Sequence, residues 1–269
     1  MAEDKKILRI EDLSVEIAGR QVIDGVSLGV DKGEVLAIVG ESGSGKTLTG
    51  LAIMDLLPDS AVRRSGRVFF RDDDIFSMGN KAKRKIRGKD IAMVFQEPFT
   101  AMNPVMKVGH QIGEVIDAHF RVAKEQKKAR VEELLGTVKL SVDVMDSYPH
   151  ELSGGMRQRA IIAMALACGP EVLILDEPTT ALDVSIQKEV IDLIRNLQKE
   201  RDFAAFFITH DFSVVNLVAD TVAVMRYGKI IEYGVKENVL RNPKERYTRH
   251  LIDCVPRMGD KRKRLGADV

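Results

Sequence analysis

The segment LAIVGESGSGKT, from Leu36 to Thr47, constrains the fold more than any other part of the 269-residue chain. LAIV is an uninterrupted apolar run, as expected of a strand buried on both faces of a sheet. It leads directly into a loop with glycines at positions 40, 43 and 45. Those glycines let the backbone turn its amide hydrogens inward onto phosphate oxygens, at the positive end of a helix starting near Lys46. Lys46 then supplies a point charge to the terminal phosphates, and the Thr47 hydroxyl is placed to ligate a bridging magnesium ion. A plain glycine-rich turn is the alternative reading, and the flanking strand and helix argue against it.

The same architecture recurs. VLIL (172–175) and AAFFI (204–208) are further buried apolar runs, each followed at its carboxyl end by polar groups, where open parallel sheets bind ligands. Alternation in LRIEDLSVEI and VIDGVSLGV predicts an antiparallel sheet over residues 8–30, ahead of the nucleotide core. Residues 47–57 read as a helix stopped by Pro58, and 185–201 as another with apolar positions at Ile186, Val190, Leu193, Ile194 and Leu197. From about Pro98 to Tyr148 no strand is evident. Helices over 109–120 and 124–135 there predict a helical subdomain, about 98–155, inserted in the core. The expected fold is therefore α/β: a parallel-sheet nucleotide-binding core, an N-terminal antiparallel β-subdomain and an inserted α-helical subdomain. Residues 1–257 read as one domain, and 258–269 as a charged tail that frays.

Composition excludes several classes. Lys plus Arg number 41 against 40 for Asp plus Glu, so no overall field draws the chain to nucleic acid. The basic clusters KAKRKIRGK (81–89) and KRKR (261–264) read as solvated surface and tail. A hydrophobic content of 45% supports a real core. No apolar run approaches the ~20 residues needed to span a bilayer, and the amino terminus lacks a signal-peptide centre. A cytosolic location is expected. Cys168 and Cys254 are too few and too isolated for a disulfide framework or metal cluster.

Four further motifs follow the glycine loop, in the chain order Gln96, LSGGM, VLILDEP and His210. VLILDEP ends in Asp176 and Glu177, two carboxylates at the end of a buried strand whose charges must be answered by a cation or a reacting water. Adjacent side chains on an extended segment diverge, so the two acids take different roles. LSGGM places Ser153, Gly154 and Gly155 at the start of a helix from about 155 to 167, where Ser153 alone would pass for an N-cap. Gln96 and His210 each follow an apolar run, and ALDV (181–184) follows the acidic motif.

Taken together, these motifs resemble the ATP-binding cassette of a membrane transporter, from about Ile7 to Pro256. The resemblance implies that Gly40, Glu41, Ser42, Gly43, Ser44, Gly45, Lys46 and Thr47 cradle ATP. It makes Thr47, Asp176 and Gln96 the contacts to Mg2+, with Glu177 as general base, Gln96 as sensor and His210 as switch. Ser153, Gly154 and Gly155 would close over a nucleotide held by a second subunit, identical or paralogous, and Asp183 would communicate across that dimer. Met156 stands where the usual form has Gln.

QEPFTAMNPVMKVGHQI (96–112) and NPKERYTRHLIDCVP (242–256) resemble the bacterial importers of dipeptides, oligopeptides and nickel complexes. That implies permease partners, an extracytoplasmic solute-binding protein acting indirectly, and a peripheral location on the cytoplasmic face of the inner membrane. ERYT (245–248) replaces the usual HPYT, and with Cys254 alone no iron-sulfur cluster is expected. The same motor could serve nickel or another metal chelate, or a soluble non-transport role. A DNA-repair or chromosome-structuring relative would need a coiled-coil insertion or zinc cysteines, and a translation-associated one two copies, so no nucleic-acid partner is expected. A regulatory module would have lost Glu177 or His210. Finally, no Phe, Tyr, Trp or His precedes Phe69, and Ile17 lies where an adenine-stacking ring is usual.

Overall fold

The computed structural model describes residues 6–96, 101–180 and 182–253. Two sheets organise them. The first is antiparallel, in the order β2-β1-β4-β5, formed by β1 (Leu8–Ile17), β2 (Arg20–Val30), β4 (Ala61–Phe70) and the short β5 (Asp73–Asp74). The second has the order β10-β9-β3-β8-β7-β6, with β3 (Val35–Val39), β6 (Ile91–Val94), β7 (Val172–Asp176), β8 (Ala204–Thr209), β9 (Thr221–Arg226) and β10 (Lys229–Val235). All of its pairings are parallel except β9 with β10.

Burial on both faces explains why β3 is apolar, and why β7 and β8 are apolar up to the Asp176 and Thr209 that end them. Leu36, Ile38, Ile174, Phe206 and Ile208 face a core shared with the antiparallel sheet and the helix Lys46–Ile53. Val35, Leu173, Leu175, Ala205 and Phe207 face the opposite way, onto the helices Gly154–Leu166 and Val184–Arg201 and the helical region. A strand clothed on both faces has no position left for a polar residue.

Among the described residues, 101–155 contain helices and turns only, chiefly Val108–His119 and Lys124–Thr137. Their apolar stripes meet through Ile112, Ile116, Val131, Leu134 and Leu135. The helical reading there holds, while its expected start at Pro98 lies outside the described residues.

Two expectations need correction. The helix read as 47–57 ends at Ile53, four residues before the anticipated stop. Asp55 adopts a left-handed φ of 49°. Arg87 then caps the end, donating from Nε to the Met54 carbonyl and from Nη2 to that of Asp55, each at 2.7 Å. A cation answering carbonyls that the ended helix leaves over is favourable there. Lys83, buried and 2.7 Å from Asp55 Oδ2, belongs to the same cap. Two members of the basic run 81–89 are thus structural rather than solvated surface; the run 261–264 lies outside the described residues.

Strands β4, β9 and β10 were not legible as such. In β4, Arg63, Arg64 and Arg67 all stand exposed, which erases the alternation that marks a half-buried strand. Its pairing to β1, from Leu8 opposite Phe70 to Ile17 opposite Ala61, is a long-range choice. No helix is long and apolar enough to cross a membrane among the described residues.

Candidate nucleotide site

Sheet order assembles the site. Along the chain the functional segments run 40–47, 96, 176–177 and 210, but their strands lie side by side as β3, β8, β7 and β6. Val39 is level with Thr209, Asp176 with Ile208, and Val94 with Leu175. The carboxyl ends therefore bring the glycine loop, His210, Glu177 and Gln96 to one edge, where an open parallel sheet binds its ligands.

The loop itself is held from below. Gly45 has φ 108° and caps the helix Lys46–Ile53, and a Cβ there would stand 2.7 Å from the Val22 carbonyl oxygen. Gly40 is not left-handed; its need for hydrogen is steric, since a Cβ would strike the Met225 carbonyl. The Lys46 ammonium donates to the Gly40 carbonyl at 2.8 Å and to that of Glu41 at 2.9 Å. A cavity of about 160 Å³ opens above, between Ser42, Lys46 and Thr47 on one side and Gln96 and Glu177 on the other.

Its electrostatics fit a polyanion with a divalent cation. Burial lowers the Lys46 pKa, against the opposing pull of Glu177, Asp176 and Glu41. Burial raises that of Asp176 from 3.8 to about 6, with the nearby Glu177 charge adding to it, while the Thr47 hydrogen bond and Lys46 work the other way. Both groups thus resist their charged forms, and phosphates would relieve the first as a cation would relieve the second. The Ser44 hydroxyl is buried in the loop without a hydrogen-bond partner, an orphan that a phosphate oxygen would satisfy. Thr47 Oγ1 donates to Asp176 Oδ1 at 3.1 Å, a hydroxyl-carboxylate pair of the hard-oxygen type that small divalent cations take.

Asp176 and Glu177 do diverge, by a sharper device than strand alternation. Asp176 ends β7 and is 1% exposed, whereas Glu177 turns to a left-handed φ of 45°. That turn delivers its carboxylate to three neighbours. Oε2 accepts from Gln96 Nε2 at 3.3 Å and Thr180 Oγ1 at 2.8 Å, and His210 Nδ1 lies 3.1 Å from Oε1. Thr180 was missed in the sequence, though it stands only three residues past Glu177 in DEPTT. Val22, on the cavity wall, has no local signal. Ile17 is not on that wall; it closes the β1-β2 turn opposite Arg20.

Ser153, Gly154, Gly155 and Asp183 are not brought to this cavity. Ser153 caps its helix, accepting from the Met156 amide at 3.3 Å. Gly155 is pressed so close to the helix Val184–Arg201 that a Cβ would meet Ile186 Cγ2 at 2.5 Å. Ser153, Gly154, Asp183 and Val184 all stand exposed, with Asp183 at the N-cap of its helix and making no side-chain cap bond. Met156 packs partly buried on the helical core, a role open to an apolar side chain. Ala181 and Cys254 lie outside the described residues. Cys168 is buried at the end of its helix, and burial raises its thiol pKa. No group of three or more His, Cys, Asp or Glu side chains suited to a metal ion occurs among the described residues.

Comparison with known proteins agrees with this geometry. The family described as ABC transporter matches residues 23–180, and that described as Oligopeptide/dipeptide transporter, C-terminal region, matches 231–268. The oligopeptide transport ATP-binding protein OppD of Bacillus subtilis is 46% identical over 258 residues, covering 93% of this chain and 72% of its own. The dipeptide transport ATP-binding protein DppD of the same organism is 44% identical, covering 94% and 78%. Among solved structures, cbiO1 of Clostridium perfringens, part of the ABC transporter complex cbiONQ, superposes with a TM-score of 0.76 at 29% identity, covering 93% of this chain and 100% of that one.

Proposed function

The chain belongs to the ABC transporter family, and from that premise we propose that it is the ATP-hydrolysing subunit of a bacterial importer, driving uptake of peptides or a related small solute through a separate permease. The observation that carries the reading is the single sheet edge on which Lys46, the Thr47-Asp176 pair and Glu177 converge. The match of residues 231–268 to the oligopeptide/dipeptide C-terminal region supports the importer class. On this reading residues 1–257 work as one ATPase domain, with 98–155 as its helical subdomain.

Each residue then has a task. The loop from Gly40 to Thr47 holds the phosphates with its amides, and Lys46 adds charge to the terminal ones. Thr47, Asp176 and Gln96 would hold Mg2+, which would neutralise charge on the phosphate oxygens. Glu177 takes a proton from the attacking water, and its fixed orientation among Gln96, Thr180 and His210 is the positioning such a base needs. His210, at the end of β8, senses the terminal phosphate.

Ser153, Gly154 and Gly155 complete the site of a second subunit in a head-to-tail dimer. Support comes from the exposure of Ser153 and Gly154, with Asp183 and Val184 also exposed, the latter 82%, and from the absence of all three signature residues from the chain's own cavity. The permease meets an apolar groove between the core and helical region, walled by Leu56, Phe95, Ala101, Val115 and Met164. That contact holds the subunit to the cytoplasmic face of the membrane, and an extracytoplasmic binding protein delivers the solute to the permease.

The test is co-expression with a candidate permease. Cysteines at Leu56 and Ala101 should crosslink to the permease and one at Arg64 should not, while Lys46→Ala should weaken nucleotide binding without breaking the complex. Crosslinking from Arg64 alone would refute the docking site, and unchanged binding in the Lys46 variant would refute the nucleotide assignment.

A further inference from the structure

ERYT (245–248) stands where the resembling family has HPYT. In the structure it is a built element. The Glu232 carboxylate, on β10, accepts from the backbone amides of Lys244 and Glu245 at 2.8 and 3.2 Å. Arg249 donates back to the Pro243 and Lys244 carbonyls at 3.0 and 2.9 Å. Together these fix the start of the helix Arg246–Asp253. From that helix Tyr247, 8% exposed, reaches the phosphate-binding loop, 206 residues earlier in the chain. Its ring stacks beneath the Arg226 guanidinium at 4.4 Å, and its hydroxyl accepts from the Glu41 amide at 3.3 Å.

The Glu41 amide and the Gly40 carbonyl belong to one peptide unit. The Gly40 oxygen accepts from the Lys46 ammonium at 2.8 Å. Tyr247 and Lys46 therefore hold opposite ends of the same rigid plane, whose rotation would move both bonds together. We propose that Tyr247 is a positioning residue for the nucleotide site: its hydroxyl fixes the Gly40–Glu41 peptide, and through the Gly40 carbonyl it sets where the Lys46 ammonium stands. The C-terminal region is thereby part of the ATP grip. This rests on the nucleotide-binding reading of the loop, and its consequence falls on binding rather than on the proton transfer at Glu177.

The experiment compares Tyr247→Phe, which removes one oxygen and keeps the ring over Arg226, with Tyr227→Phe, which trims the other ring stacked on Arg226. Fluorescent ATP-analogue titration, the ATP KM and kcat, and amide exchange over residues 36–46 are measured on the full chain with Mg2+. A net hydrogen bond shifts an equilibrium by about three- to tenfold. Tyr247→Phe should therefore raise Kd and KM by about that factor, leave kcat within twofold, and speed exchange in the loop, while Tyr227→Phe changes none of these. The effect should vanish in a Lys46→Ala background at the affinities that variant retains. Wild-type affinity in Tyr247→Phe, a fall in kcat alone, or an equal effect from Tyr227→Phe would overturn the proposal. Failure of the wild-type chain to bind nucleotide would instead overturn the reading beneath it.

Discussion

His210 Nδ1 stands 3.1 Å from Glu177 Oε1, joining the ends of two adjacent strands, β8 and β7, at a carboxylate that Gln96 and Thr180 also contact. The carboxylate is 11% exposed and its histidine neighbour 55% exposed, so the pair spans the boundary between the sheet edge and solvent. Substituting Glu177 therefore tests chemistry with little change in packing.

Glu177→Gln should keep ATP affinity within a few-fold and lower turnover by about 10²- to 10⁴-fold, the usual weight of a general base. The amide keeps the shape of the carboxylate but cannot take a proton from water. ATP should then accumulate a dimer visible by light scattering. Retention of half the wild-type rate would remove Glu177 from the mechanism.

Asp176 carries a pH signature. Burial raises its pKa from 3.8 to about 6, so the folded state resists its ionisation and the unfolded state does not. The penalty is absent below pH 3.8, grows as pH rises toward 6, and is complete above that. A shift of this size corresponds to about 3 kcal/mol at most, at 1.36 kcal/mol per unit. Asp176→Asn should accordingly raise the melting temperature of the nucleotide-free, metal-free protein at pH 7.5, with the gain shrinking as pH falls toward 4. The same variant should lose Mg2+-dependent nucleotide binding. A gain that is constant across pH 4 to 7.5 would contradict the buried-charge account.

Gly155→Ala places a methyl 2.5 Å from Ile186 Cγ2, too close unless the Ile186 side chain or its helix shifts. Overpacking of this kind costs about 1 to 3 kcal/mol. The expected result is a lower denaturation midpoint, and Ile186→Ala in the same chain should recover most of it by removing the atom struck. Loss of stability that the second substitution leaves untouched would place the strain elsewhere.

Base selectivity should be slight. No aromatic side chain precedes Phe69, and the cavity wall nearest the loop offers Val22 and Leu48. A stacked aromatic contributes about 1 to 3 kcal/mol to holding a base. Without one, ATP and GTP should bind with dissociation constants within about tenfold of each other, a gap of 1.4 kcal/mol. A hundredfold preference for ATP would show that another group reads the base.

What the sequence determined by itself was local. A run such as LAIV has to be buried on both faces, glycines at 40, 43 and 45 have to form a loop, and the helix Val184–Arg201 announces itself by a stripe of apolar residues at helical spacing. Short-range periodicity and steric permission set these, and the residues of the sheet edge were legible for that reason. Other features depended on contacts between distant segments, which no local pattern encodes. Strand order decided that His210 would lie between the loop and Glu177 although it comes last in the chain. The exposed arginines of β4 concealed a strand that exists because β1 offers it a partner. Lys83 and Arg87 looked like solvated charge until the early end of the helix Lys46–Ile53 gave them carbonyls and a carboxylate to answer. Tyr247 could be read only as a motif variant, because its meaning is a hydrogen bond to a loop 206 residues away, and only the folded chain places the two in contact.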